Sequence, residues 1–117
     1  MHQHEKINYV EFPAKDLEKA KTFFSAVFDW SFTDYGDEYT AFENEGLDGG
    51  FFKSKNCVSA DSGSALIVFY SNKLEQTQDN IQMHGGLISQ AIFEFPGGRR
   101  FHFKDPNNNE YAVWSDL

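Results

Sequence analysis

Two short stretches carry most of the side chains in this chain that can do chemistry. Near the start, Tyr9 and Glu11 stand two residues apart in Ile7-Asn8-Tyr9-Val10-Glu11-Phe12. Near the end, Arg100 and His102 alternate with Phe101 and Phe103, and Trp114 follows after Glu110-Tyr111-Ala112-Val113. A spacing of two puts side chains on one face of a strand, so Tyr9 shares a face with Glu11, and Arg100 with His102. A carboxylate and an imidazole, Glu11 and His102, can pass a proton between them and a substrate if folding brings them together. The Arg100 guanidinium offers a fork of donors suited to a carboxylate or phosphate. Tyr9, Tyr70 and Trp114 present flat rings on which a small ligand can stack. The same residues have plainer uses. Glu11 and Arg100 can form a cross-sheet ion pair, His102 can be an ordinary strand residue, and Tyr70 and Trp114 can pack in a dimer interface. His2, His4 and His84 read as surface residues.

The elements that must position these groups come in two copies. Residues 7–12 read as a strand, with Val10 and Phe12 on one face and Ile7, Tyr9 and Glu11 on the other. Pro13 is expected to end it. Asp16 is a good N-cap for a helix over 16–28, where Leu17, Ala20, Phe24, Val27 and Phe28 recur at three- and four-residue spacing. Short strands over 30–35 and 38–43 follow, then a loop over 46–50 and a strand beginning at Phe51. The second copy starts with an apolar strand over 65–70. Asn72 and Glu75 match a capping box for a helix over 72–84, which Gly85 and Gly86 stop. Residues 86–93 read as extended, and Pro96-Gly97-Gly98 as a turn. Residues 99–104 and 110–115 form a hairpin around Asp105-Pro106-Asn107-Asn108-Asn109, a run of turn formers. That hairpin sets Lys104 opposite Glu110, His102 opposite Ala112 and Arg100 opposite Trp114. One domain over 1–117 is expected: a first module over about 5–54, a mobile polar linker over about 55–64, and a second module over about 65–117.

The composition limits the functions open to the chain. Its 117 residues suffice for one core, and 13 Phe supply much of it. A net charge of −8 repels phosphate backbones, which argues against nucleic acid as a partner. A single cysteine, Cys57, excludes an intramolecular disulfide, and it sits in a polar stretch with no surrounding motif. The polar start lacks the apolar core of a signal peptide, and no apolar run reaches transmembrane length. The expectation is a cytoplasmic protein with no membrane partner.

Three segments carry a family likeness. They are Glu11-Phe12-Pro13-Ala14-Lys15-Asp16-Leu17-Glu18-Lys19-Ala20 with Phe23-Phe24; Phe28-Asp29-Trp30; and Phe103-Lys104-Asp105-Pro106-Asn107-Asn108-Asn109-Glu110. In this order they resemble the vicinal oxygen chelate superfamily (glyoxalase, bleomycin resistance, dioxygenase), and within it the single-domain group related to lactoylglutathione lyase. Asp29 and Asn108 stand where that family often has glycine, so both are expected at positive φ. The resemblance implies an α+β fold of two βαβββ modules, with a cupped mixed sheet and the helices outside.

The resemblance also implies where a metal would sit. The family's enzymes hold a divalent ion in the cleft as a Lewis acid. The corresponding positions here are Tyr9, Leu66 (or Ala65 or Ile67), Phe51 or Phe52, and Ala112. These side chains do not make a metal site, so no metal and no cofactor are expected. Ala112 marks the cleft face by the same correspondence, which places Arg100, His102 and Trp114 there with Tyr9, Glu11 and Tyr70. Phe101, Phe103, Tyr111 and Val113 then face the helices. The implied function is a glyoxalase-related protein, a homodimer in the family's manner, that binds a small metabolite and acts as a metal-independent lyase or isomerase. The alternative is a non-enzymatic protein that binds a small molecule or antibiotic.

Overall fold

The element order is βαβββ, twice. The computed structural model describes residues 2–117. Its elements are β1 (Tyr9–Ala14), α1 (Leu17–Phe28), β2 (Phe32–Asp34), β3 (Tyr39–Glu45), β4 (Leu47–Lys53), β5 (Ile67–Tyr70), α2 (Leu74–Met83), β6 (Leu87–Phe95), β7 (Gly98–Lys104) and β8 (Glu110–Ser115). The first sheet runs β1-β4-β3-β2 and the second β5-β8-β7-β6. In each, the first strand pairs in parallel with the last and the other pairs are antiparallel. The outer edges of β1 and β5 pair with no other strand among the described residues.

Local chemistry explains most boundaries. Asp16 caps α1 by accepting a hydrogen bond from the Lys19 amide at 3.1 Å. The helix ends at Asp29, whose φ of 62° is left-handed, and Asn108 adopts φ of 69° in the β7–β8 loop. Both are the expected replacements for glycine.

Several expectations need correction. Pro13 lies within β1 instead of ending it; β1 is an edge strand, where a residue without an N–H is tolerated. Residues 47–50 are strand, and only Gly46, at φ 95°, makes the turn between β3 and β4. The capping box does not form at α2. Lys73 is the N-cap without a side-chain bond; the Ser71 hydroxyl accepts from the Lys73 amide, and Glu75 is drawn away to Arg99. Two amides of the expected linker are hydrogen-bonded to the β7–β8 loop and β8: Val58 donates to Asn109 Oδ1 and Ala60 to Glu110 Oε1.

Both modules share one core. Phe12, Phe42 and Phe51 of the first sheet join Phe101, Phe103, Tyr111 and Val113 of the second, with Phe23 and Phe24 of α1 between them. The Phe24 ring lies 5.5 Å from both Phe51 and Tyr111, one on each sheet. The alternation read from the sequence holds here: Phe101, Phe103, Tyr111 and Val113 are fully buried. Each such ring removes on the order of 150–250 Å² from water, the main force holding the two sheets together.

A polar knot in the β7–β8 loop fixes how the modules meet. Asp105 accepts from the Asn107 and Asn109 amides and from the Tyr111 hydroxyl at 2.7 Å. Asn107 reaches across to Asp16, accepting from its amide and donating to its carbonyl. Asn109, fully buried, donates to the Pro13 carbonyl at 2.7 Å and accepts from the Val58 amide at 2.9 Å. Burial pushes the Asp105 carboxyl up to about 6, against the pull of the Tyr111, Asn109 and Asn107 donors.

Replacing Asn109→Ala strands the amide of Val58 and the carbonyl of Pro13. It should cost about 2–4 kcal/mol in urea unfolding. For Asp105 the folded state raises the pKa, so its stabilising contribution is full below the ordinary carboxylate range and is lost as pH rises through about 6. Asp105→Asn keeps the neutral shape. Between about pH 4 and pH 7 the parent should lose on the order of 3 kcal/mol relative to this variant, measured as the difference between their urea midpoints across that range.

Candidate functional site

The side chains of each sheet turned away from the core make two separate constellations. On the first sheet, Tyr9 and Glu11 of β1 meet Tyr39 of β3. Tyr39 donates to Glu11 Oε2 at 2.9 Å, and the Tyr9 and Tyr39 hydroxyls are 2.5 Å apart. Since the single Tyr39 proton goes to Glu11, Tyr9 must be the donor of the second bond. The result is a chain of two phenols ending on a carboxylate. Partial burial first, and then the bonds to Tyr9 and Glu11, hold the Tyr39 hydroxyl protonated far above the usual tyrosine range. Gly50 makes this possible: it lies opposite Glu11, and a Cβ there would collide with the Tyr39 hydroxyl oxygen.

On the second sheet, Arg100 and His102 of β7 lie opposite Trp114 and Ala112 of β8. Arg100 Nη2 donates to His102 Nε2 at 2.9 Å, and His102 Nδ1 donates to Glu110 Oε2 at 3.2 Å. These partners place the imidazole proton on Nδ1 and leave Nε2 as acceptor. Glu110 is further anchored by the Ala60 amide and the Ser89 hydroxyl. Burial alone would raise its carboxyl, but the bonds from Ala60 and His102 outweigh it and hold the carboxyl below the usual range. The guanidinium lies 5.6 Å from the Phe93 ring centroid and 6.0 Å from that of Phe95, within cation–π range. Phe95 touches Trp114, which meets Tyr70 edge to face at 5.2 Å. Tyr70 is tethered through its hydroxyl to Asp116. The buried Arg100 Nε has no hydrogen-bond partner among the described residues.

The six residues singled out from the sequence therefore fall into two groups. Arg100, His102, Trp114 and Tyr70 gather on the second sheet, and Tyr9 and Glu11 on the first. Glu11 and His102 share no hydrogen bond, because Tyr39 takes the first and Arg100 and Glu110 take both nitrogens of the second. Glu11 and Arg100 make no ion pair either; those of the described residues lie elsewhere. Four contributors had not been singled out: Tyr39, Phe93, Phe95 and Glu110. Glu110 was foreshadowed by its register opposite Lys104; Phe93 falls opposite Arg100 only through the β6–β7 pairing, which the sequence does not specify, and nothing in the chain's local pattern marks Tyr39.

The positions that correspond to metal ligands carry the wrong chemistry. Ala112 is fully buried, Phe51 is in the core, and Tyr9 is committed to Tyr39. No group of three or more His, Cys, Asp or Glu side chains suited to a metal occurs among the described residues. No helix among them is long and apolar enough to cross a membrane.

This geometry, two βαβββ modules with an aromatic, sparsely charged face on each sheet, defines a glyoxalase-like domain. Residues 6–113 match the family model described as the Glyoxalase/Bleomycin resistance protein/Dioxygenase superfamily, and the chain belongs to that superfamily. Among curated proteins none gives a significant match. Solved structures share the fold at low identity. A glyoxalase/bleomycin resistance protein/dioxygenase family enzyme from Burkholderia phytofirmans superposes with a TM-score of 0.79 at 14% identity, over 94% of this chain and 98% of its own. Lactoylglutathione lyase from Agrobacterium tumefaciens gives 0.71 at 16%, over 95% and 93%. A variant of the fosfomycin resistance protein FosX from Listeria monocytogenes, complexed with Mn(II) and a dihydroxypropylphosphonic acid, gives 0.77 at 17%, over 96% and 90%.

Gly50→Ala should push the Tyr39 ring off its seat and cost about 1–3 kcal/mol. Loss of the Tyr39–Glu11 bond should appear as a fall of the Tyr39 pKa toward the ordinary tyrosine value, read from the ultraviolet phenolate titration.

Proposed function

We propose that this protein binds a small anionic metabolite at Arg100, on a platform formed by Trp114, Phe95 and Tyr70. One observation carries the reading. Among the described residues Arg100 is a cation with no carboxylate partner, and its Nε is buried without an acceptor, in a protein of net charge −8. A buried donor left without a partner costs free energy that an incoming carboxylate or phosphonate oxygen would recover. Glu110 and His102 act as positioning residues: they fix the direction of the guanidinium fork through the imidazole. The phosphonic acid held by the Listeria FosX variant is compatible with this ligand class.

The binding reading is favoured over turnover. Both nitrogens of His102 are engaged and Glu11 is on the other sheet, so the side chains of this site offer no free acid–base pair. Recognition is proposed to be metal-independent, from the donor set described above. A homodimer belongs to the same proposal, because Tyr9, Phe52, Val68 and Tyr70 leave apolar surface exposed on the two sheets.

Thermal-shift and calorimetric titrations with phenylphosphonate, benzoate and benzamide test it. The two anions should raise the melting temperature and the neutral amide should not. Arg100→Met should weaken anion binding about 10–100-fold, with Arg100→Lys intermediate and the urea midpoint little changed. Equal binding of all three compounds, or an unaffected Arg100→Met variant, would overturn the reading. Dialysis against a chelator should leave anion affinity unchanged; one zinc, nickel or iron per chain retained and needed for binding would refute metal independence.

A further inference from the structure

A cavity lies on the core side of the first sheet, beside the free edges of β1 and β5; Arg100 does not line it, though Tyr70 of the Arg100 platform stands at its border. Its volume of about 610 Å³ is in the range of small-molecule sites. Aromatic rings of Phe12, Phe28, Trp30, Phe42 and Phe69 line it. These rings brace one another: Phe28 stacks on Phe69 at 4.5 Å and Trp30 sits 4.3 Å from Phe42. The walls are therefore preformed, which lowers the ordering cost of binding.

One charged side chain, Glu45, stands in this apolar lining. Strict alternation along β3 would put Glu45 on the other face, with Tyr39 and Ala41. A bulge reverses that. The pairing passes from Phe42↔Gly49 to Glu45↔Leu47, one extra residue in β3, with Asn44 at φ 64°. Bulges commonly re-aim a side chain in this way. Glu45 thus joins Phe42 in lining the cavity, and it has no ion pair among the described residues. Burial first, and then the neighbouring Asp29 charge, push its carboxyl upward.

We propose that this cavity is a binding site for a small aromatic ammonium ion, with the ring held among Trp30, Phe42 and Phe69 and the charge on Glu45. A carboxylate bent into an apolar, electron-rich pocket selects for a cation that carries its own apolar body. The Arg100 site prefers the opposite charge, so the two sites sort ligands by sign.

The chain has two tryptophans, so Trp114→Phe leaves Trp30 as the sole indole reporter. Naphthylmethylamine, naphthylmethanol and naphthylacetate are titrated against its emission at neutral pH. The amine should quench Trp30 saturably with a Kd below about 1 mM, at least ~10-fold tighter than the alcohol, and the acetate should bind weakest. Glu45→Gln should bring the amine to the affinity of the alcohol while the alcohol is unchanged. No saturable quench, equal affinity for the three compounds, or an amine preference that survives Glu45→Gln would overturn the proposal. So would a dimer, seen by sedimentation, in which Trp30 is shielded from acrylamide and the amine does not bind; the cavity would then belong to a second copy of the chain.

Discussion

The knot of Asp105, Asn107 and Asn109 is the constraint on which the rest of the structure depends. The two modules could share an aromatic core in many relative positions, because rings attract without much regard to direction. Asn107, bonded to both backbone groups of Asp16, and Asn109, which donates to the Pro13 carbonyl and accepts from the Val58 amide, admit few of them. The loop therefore sets the register in which β7 and β8 of the second module meet β1 and α1 of the first. Everything on the second sheet, including the Arg100–His102–Glu110 line, is hung from strands that enter and leave this loop.

The fold was largely legible from the sequence because its signals were local and redundant. The Phe101/Phe103 alternation, the Asp16 cap, the positive-φ sites Asp29 and Asn108 and the register around the turn-rich loop all state their geometry within a few residues. The misreadings were equally local in origin. Asn72 and Glu75 look like a capping box, but the Arg99 guanidinium competes for Glu75 from a strand 24 residues away. Pro13 reads as a strand end unless β1 is known to be an edge. Residues 47–50 read as a loop because Asp48, Gly49 and Gly50 are poor strand formers in isolation. Their glycines are required by the rings and backbone packed over them, a fact of tertiary structure.

The site was legible by residue type more than by grouping. Arg100, His102 and Trp114 were placed together because register in a tight hairpin is calculable. The expected meeting of Glu11 and His102 across two sheets was not calculable, and Tyr39, Arg100 and Glu110 turned out to be the nearer partners. The bulge that swings Glu45 around was invisible for the same reason. One inserted residue inverts the facing of every later residue in its strand, and no propensity announces it.

The unpaired outer edges of β1 and β5 bear on solubility. An open strand edge is a template on which foreign chains can add, the first step toward fibrils. Here one edge contains Pro13, which has no amide hydrogen to offer, and the other is only four residues long. Of the four borders that two open sheets leave, these two are guarded by features too small to disturb the core; β2 is only three residues long, and the nine-residue β6 is broken by register shifts at two places, irregularities of the kind that turn an edge away from pairing.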